Sequence, residues 1–239
     1  MGKRIIQQAR GKGSPTYRSP SFRFVGKPIH PSYKVTEGVV EHLVHCPGHT
    51  APLAHVVYND LSHGLVIAAE GMIVGEKVCA NAAENLDTIA VGSVSPLGLI
   101  PEGTMIHNIE QVPGDGGKFV RASGTFAKIV AKKDSLVTVQ LPSKKTKEFN
   151  AKCRASVGVI AGGGRTEKPL LKAGNRAHKM RSRNKLYPRA SAASMNAVDH
   201  PFGNKRSSRK SKARPISRNA PPGRKVGSVA ARRMGRKKR

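Results

Sequence analysis

From Val35 to Gly164, apolar and polar positions alternate in short runs separated by turn-forming pairs. Gly38–His45, Leu53–Tyr58 and Leu65–Ala69 are rich in Val, Leu and Ile, and are punctuated by Pro47-Gly48, Asn59-Asp60 and His63-Gly64. Met72–Val78 and Thr88–Val94 continue in the same style. A second series follows at Thr104–Ile109, Phe119–Arg121, Thr125–Ala131, Leu136–Leu141, Glu148–Ala151 and Ser156–Ile160. Strands at a spacing of about 8–12 residues, with turn signals between them, predict small barrels or sandwiches. The number of strands exceeds what one five-stranded barrel needs, and the pattern breaks near Pro96–Pro101. Two small β-barrels in series are therefore expected, the first over residues 31–97 and the second over residues 98–164.

The flanking segments lack this patterning. Residues 1–30 are rich in Gly, Ser, Pro and Arg, with neither helical nor strand periodicity, and are expected to be extended and disordered in isolation. After Gly162-Gly163-Gly164, in residues 165–239, apolar runs vanish and one short helix is expected around Lys179–Lys185. Such a segment cannot bury enough surface to offset its ordering entropy.

Charge follows the same divisions. Residues 1–30 hold 7 Lys and Arg and no acids, residues 31–164 hold 12 basic and 12 acidic residues, and residues 165–239 hold 24 basic residues and 2 acids. The net charge of +29 thus sits on two arms around a neutral middle. Arms of this kind need a dense polyanion, most commonly nucleic acid. With 4% aromatic residues and no Trp, a single-strand reader built on stacked bases is disfavoured, which leaves recognition of backbone and shape. Gly, Pro, His, Asn and Tyr scattered between the charges suit a chain threading a crowded RNA path; a solvated basic tail, an import signal or a membrane-surface patch is the plainer alternative.

Cys46, Cys79 and Cys153 are odd in number and far apart, and read as free thiols in a reducing compartment. The opening residues carry only Ile5 and Ile6 as an apolar pair, short of a secretory core, and the most apolar stretch, Gly64–Gly75, is short and contains Glu70. A cytoplasmic protein with no membrane partner is expected.

Four constellations could carry chemistry. The basic arms offer phosphate contacts. Pro113–Thr125 (PGDGGKFVRASGT) has Gly114, Gly116 and Gly117 placed to form an anion-binding turn, with Lys118 and Arg121 beside it; an ordinary hairpin loop is the alternative. His42, His45, Cys46 and His49 are four soft donors within one short string and form a weak metal candidate, since their spacing is not a usual zinc pattern. Asp199 beside His200 looks like an acid–imidazole pair, although adjacent residues rarely face each other and no nucleophile motif accompanies them; a loop histidine donating to a phosphate or base is favoured, and the basic surroundings disfavour its protonation. No Walker motif, dinucleotide fingerprint or nucleophile elbow is present, so neither an enzyme nor a cofactor is expected. A free RNA chaperone or translation factor is the other non-enzymatic reading.

Several strings resemble one known family. IPEGT at Ile100–Thr104, the Pro113–Thr125 string, CRASVGVIAGGGRTEKP at Cys153–Pro169, KAGN at Lys172–Asn175, MNAVDHPFG at Met195–Gly203 and SRNAPPGRKVG at Ser217–Gly227 are similar, in order, to the universal second protein of the large ribosomal subunit. The opening Gly2–Ser21 looks like the archaeal form of that family. The resemblance implies an OB-fold barrel followed by an SH3-like barrel, with both termini extended into ribosomal RNA near the peptidyl transferase centre. It implies other large-subunit proteins as partners, and the small subunit through an intersubunit bridge. It also implies a supporting role in subunit joining, tRNA positioning and peptide-bond formation, the reaction itself belonging to RNA.

On this resemblance and the charge pattern, the expected RNA contacts are Arg4, Arg10 and Lys12 in the first arm and Lys118 and Arg121 in the glycine-rich loop. Gly162, Gly163, Gly164 and Arg165 form the expected turn out of the second barrel. Lys172, Asn175, Arg176, Lys179, Arg181, Arg183, Met195, Asn196, His200, Arg218, Arg224 and Lys225 follow in the C-terminal arm. The family's sensitive histidine matches His200. The family usually continues with glycines after Gly203, where this chain has Asn204-Lys205-Arg206, and its usual turn at Cys46 lends the metal candidate nothing.

Overall fold

The computed structural model describes residues 2–81, 90–204 and 215–231. It is mainly β and divides into two compact units, residues 21–170 and residues 1–20 together with 171–239.

The larger unit holds two antiparallel sheets. In the first, β1 (Glu37–Val44), β2 (Leu53–Tyr58), β3 (His63–Ile67) and β4 (Lys77–Cys79) lie in the order β3-β2-β1-β4. In the second, β5 (Val94–Pro96), β6 (Met105–His107), β7 (Ala127–Lys133), β8 (Leu136–Gln140), β9 (Thr146–Asn150) and β10 (Arg154–Val157) lie in the order β5-β10-β6-β7-β8-β9. Both sheets are consistent with the expected small barrels, though neither strand order closes on itself among the described residues. Alternation explains the faces. Val40, Val56 and Val66 point into the first core, while Ile129, Val137, Val139 and Phe149 point into the second. An antiparallel bridge from Ala69 to Ile160 and a shared cluster of Cys46, Leu53, Ile67 and Ile160 join the sheets.

Several expected strands are shorter or displaced. Met72–Val78 is mostly a turn, because Gly71 and Gly75 both adopt φ of +89°, and only Lys77–Cys79 pairs. Phe119–Arg121 is reduced to a single bridge, with Val120 at φ +53°. Of the Thr88–Val94 run, residues 88–89 lie outside the described residues; the remainder is mostly a turn, with Gly92 at φ +87°, and only Val94 enters a strand. Sheet membership changes ahead of the Pro96–Pro101 break, since Val94–Pro96 already pairs with β10.

The feature that organises this unit is a buried ion pair. Glu110 is 0% and the Arg154 side chain 3% exposed. The Glu110 carboxylate accepts from Arg154 backbone N–H, Nε and Nη2 at 2.9, 3.2 and 2.9 Å, and from the N–H groups of Gly114 and Gly116 at 3.2 Å each. Arg154 Nη1 donates to Pro31 O (2.6 Å) and to Asn81 Oδ1 (3.1 Å), and its guanidinium stacks 3.9 Å over the Tyr33 ring. One guanidinium therefore ties the incoming segment, the end of the first sheet and the second sheet together. Burial alone would raise the Glu110 carboxyl; the hydrogen bonds from Arg154 and the glycine loop outweigh it and hold the pKa below its ordinary value.

Close by, His30 Nε2 contacts Asn108 O at 2.6 Å, and desolvation lowers the His30 pKa to about 4. Buried His107, 3.0 Å from Gly158 O through Nδ1, is also lowered, chiefly by desolvation.

Two outcomes follow. Arg154→Ala strands a buried carboxylate and should cost about 3–5 kcal/mol, read by urea unfolding followed by circular dichroism. An unfolded histidine titrates near 6.5 but His30 at about 4, so the unfolded chain binds more protons between these values. Stability should be full above pH 6.5 and fall as the pH drops towards 4, by roughly 3 kcal/mol from His30. His30→Gln should reduce this slope, leaving the part due to His107, as unfolding curves at stepped pH would record.

Candidate nucleic-acid interface

The second unit is built from the two basic arms. Residues 2–20 carry α1 (Ile6–Gly11), and residues 171–231 carry α2 (Ala173–Arg181) and a two-residue parallel pair, β11 (Pro215–Ile216) with β12 (Ser228–Val229). The arms hold each other through backbone groups. Lys3 N–H donates to Val198 O at 2.8 Å, and Asn184 Nδ2 donates to Arg18 O at 2.6 Å and to Pro15 O at 3.3 Å. Ile5 is the buried apolar anchor of the first arm. Helix α2 starts ahead of the expected Lys179–Lys185 and ends within it, at Arg181; Asn184 takes φ +46° and reaches the first arm. The helix places Arg176 and Lys179 on one face at i, i+3 spacing, with Lys172 at the N-cap, and Lys179 and Arg181 in its last turn complement the helix dipole.

His200 sits in a tight loop. Asn196 O accepts from Asp199 N–H (3.0 Å) and from His200 N–H (3.2 Å), and Gly203 N–H returns to His200 O (2.8 Å). Gly203 is required by contact, since a Cβ there would lie 2.2 Å from Asn196 O. Asn204, which stands where glycine is usual in the family resembled, itself takes φ +89°; residues 205–214 lie outside the described residues. Phe202 N–H donates to His200 Nδ1 at 3.0 Å, which puts the proton of the neutral ring on Nε2. Burial lowers the His200 pKa and so further favours the neutral ring, a shift that comes from desolvation, where the sequence pointed to surrounding cations. Asp199 does not orient the imidazole; its carboxylate lies 3.9 Å from Lys3 Nζ. Two clefts, of about 580 and 400 Å³, meet at Lys3, Arg4, Ile5 and His200. Met195 lines the first and Arg224 the second. Cations, apolar surface and a neutral N–H donor side by side suit ribose, base and phosphate together.

Other expected contacts are placed differently. The glycine-rich loop does form an anion cradle, but the anion is the chain's own Glu110, held by Gly114 and Gly116, while Gly117 N–H caps Asp115 Oδ1 at 3.0 Å. Arg121, expected as an RNA contact, is half-buried and donates to Gly117 O and Pro28 O at 3.1 and 2.9 Å; Lys118 stays exposed. Gly162 (φ +78°), Gly163 and Gly164 form the expected turn, and Gly163 packs so closely on Gly124 that a Cβ on Gly124 would lie 2.3 Å from its Cα. Arg165 Nε donates to Ser123 Oγ at 3.0 Å. Arg10 reaches Gln7 (3.4 Å), Lys12 caps α1, and Asn175, Arg181, Asn196, Arg218 and Lys225 are exposed, with Arg183 half-buried.

The weak metal candidate does not assemble. Cys46 is buried with His49 Nδ1 3.1 Å from its sulfur, whereas His42 and His45 are exposed on or beside β1. Among the described residues no helix is long and apolar enough to cross a membrane.

Comparison with known proteins decides the family. Residues 4–80 match the model for Ribosomal Proteins L2, RNA binding N-terminal domain, and residues 90–220 match that for Ribosomal Proteins L2, C-terminal domain. The chain belongs to the ribosomal protein L2 family. It is similar to the large ribosomal subunit protein uL2 of Archaeoglobus fulgidus, 49% identical over 98% of this chain and 99% of the relative. That of Methanococcoides burtonii is 46% identical over 99% of this chain and 100% of the relative. The match of the L2 family spans both sheets and both arms. What sequence reading missed was the Glu110–Arg154 pair; the available signal was a lone Arg inside the apolar run Cys153–Ile160.

Gly203→Ala should loosen the His200 loop without touching the sheets. Amide exchange should accelerate across residues 196–204 while β7 and β8 keep their protection.

Proposed function

We propose that this chain is a structural constituent of the large ribosomal subunit that binds its ribosomal RNA and works in cytoplasmic ribosomes. The observation that carries this is the separation of a near-neutral double-sheet unit from a sparsely structured unit that holds most of the Lys and Arg and Asp199 as its sole acid. A segment this charged and this poor in core is stable only when phosphates neutralise it. The finer reading is that the sheets dock at the subunit surface while the arms thread inward, bringing the clefts at His200 close to the peptidyl transferase centre. There the protein supports subunit association, tRNA positioning and peptide-bond formation without being the catalyst. Arg4, Lys172, Arg176, Lys179 and Arg224 neutralise phosphates in this reading, and His200 donates from Nε2. An acid–imidazole enzyme is disfavoured by the position of Asp199 beside Lys3.

The direct test is a sucrose gradient of cell lysate after a high-salt wash, with immunodetection of this chain. Co-migration with the large subunit is expected; release into light fractions would favour a cycling chaperone or factor. In binding assays with large-subunit RNA, Arg224→Ala should weaken affinity and flatten the salt dependence by about 0.7–0.9 log units per log salt. His200→Gln should leave subunit assembly nearly intact and slow peptide transfer, read on purified subunits; failed assembly would make the residue architectural.

A further inference from the structure

The outer face of the first sheet carries a side-chain cluster that RNA binding by the arms does not use. We infer that Glu41, His55 and His63 form a binding site for one divalent transition-metal ion, with Zn2+ the expected occupant. The three residues come from three adjacent strands, β1, β2 and β3. One carboxylate oxygen and one ring nitrogen from each histidine lie within 4.8 Å of one another. His55 Nδ1 is 2.8 Å from Glu41 Oε2, and the His55 and His63 rings stack with centroids 5.2 Å apart and planes 28° from parallel.

Strand register produces this arrangement. His55 pairs with Leu65, so His63 is its diagonal neighbour on the same face, within reach of a long side chain. The register of β1 shifts between Val40 and His42, setting both Glu41 and His42 against His55. A bulge of this kind re-aims a side chain while the strand stays paired. Val40, Val56 and Val66 are buried in the core on the opposite face, so alternation fixes the cluster to the outside.

The donor set selects the ion. Two imidazoles and one carboxylate match open zinc sites, in which water completes the coordination. Mg2+ and Ca2+ prefer shells made of oxygen alone. Bonds of about 2.0–2.2 Å would draw the three donors inward, a small adjustment for side chains at the surface. His42, with Nε2 3.8 Å from the other Glu41 oxygen, stands beside the open positions. Because β3 is an edge strand, an ion here would staple the edge of the sheet to β1 across β2.

The test uses the full chain, stripped with a chelator and titrated with Zn2+ in phosphate-free neutral buffer by calorimetry. One equivalent should bind and raise the melting temperature. His63→Gln and His55→Gln, each checked by circular dichroism, should bind about tenfold or more weakly and lose the thermal shift. His45→Gln should behave as the parent. Co2+ in place of Zn2+ should give visible d–d bands without thiolate charge transfer. The site is overturned if the parent binds no equivalent, if His63→Gln binds as the parent does, or if binding follows His45→Gln or Cys46→Ser with a thiolate band. These readouts come from isolated protein and stand apart from the RNA-binding reading.

Discussion

The buried Glu110–Arg154 pair is the constraint on which the larger unit rests. An ionised carboxylate taken out of water is tolerated only with every lone pair engaged. Here the engagement comes from elements far apart in the chain: the glycine loop and Arg154 N–H on one side, and Pro31, Tyr33 and Asn81 around the guanidinium on the other. A pair of this kind contributes less to net stability than to uniqueness, because any other register leaves a charge unpaired. Consequences run outward from it. The loop that caps Glu110 leads to Arg121, which is pinned to Gly117 and Pro28, and on to Gly124, whose backbone abuts the Gly162–Gly164 turn.

Charge and structure divide the work. The sheets are near neutral and fill two apolar clusters with a seam between them. The basic unit has little core, and its order comes from backbone groups of one arm satisfied by the other, as at Lys3–Val198 and Asn184–Arg18. Repulsion among so many cations opposes that order, so an anionic partner that neutralised them would favour it. Within this cationic setting desolvation lowers the His200 pKa, and the neutral ring presents a donor through a fixed tautomer, a group whose hydrogen bonding does not depend on holding a charge.

Much of this was legible in the amino-acid order. Leu53–Tyr58 appears with the bounds the pattern predicts, and Leu136–Gln140 falls within one residue of them, because alternating Val and Leu between turn pairs leaves one pairing face for the core. The separation of neutral middle from basic arms, the mainly β class and the motifs that carry the family resemblance were also readable directly. These are local properties: side-chain periodicity, composition and contiguous strings.

What the tertiary structure decided are the pairings between distant positions. Arg121 reads from sequence as a cation beside a glycine turn, yet two of its N–H donors go to carbonyls of the chain itself, one of them Pro28 O. The turn itself reads as a cradle for an external phosphate, yet it holds Glu110. Helix α2 ends where Asn184 meets the first arm, and Glu41, His55 and His63 converge only because two strand registers and a bulge align them. Periodicity specifies which face a side chain takes, a matter of a few bonds of local geometry. Which partner it meets there depends on how separate elements are brought together, and no local signal encodes that.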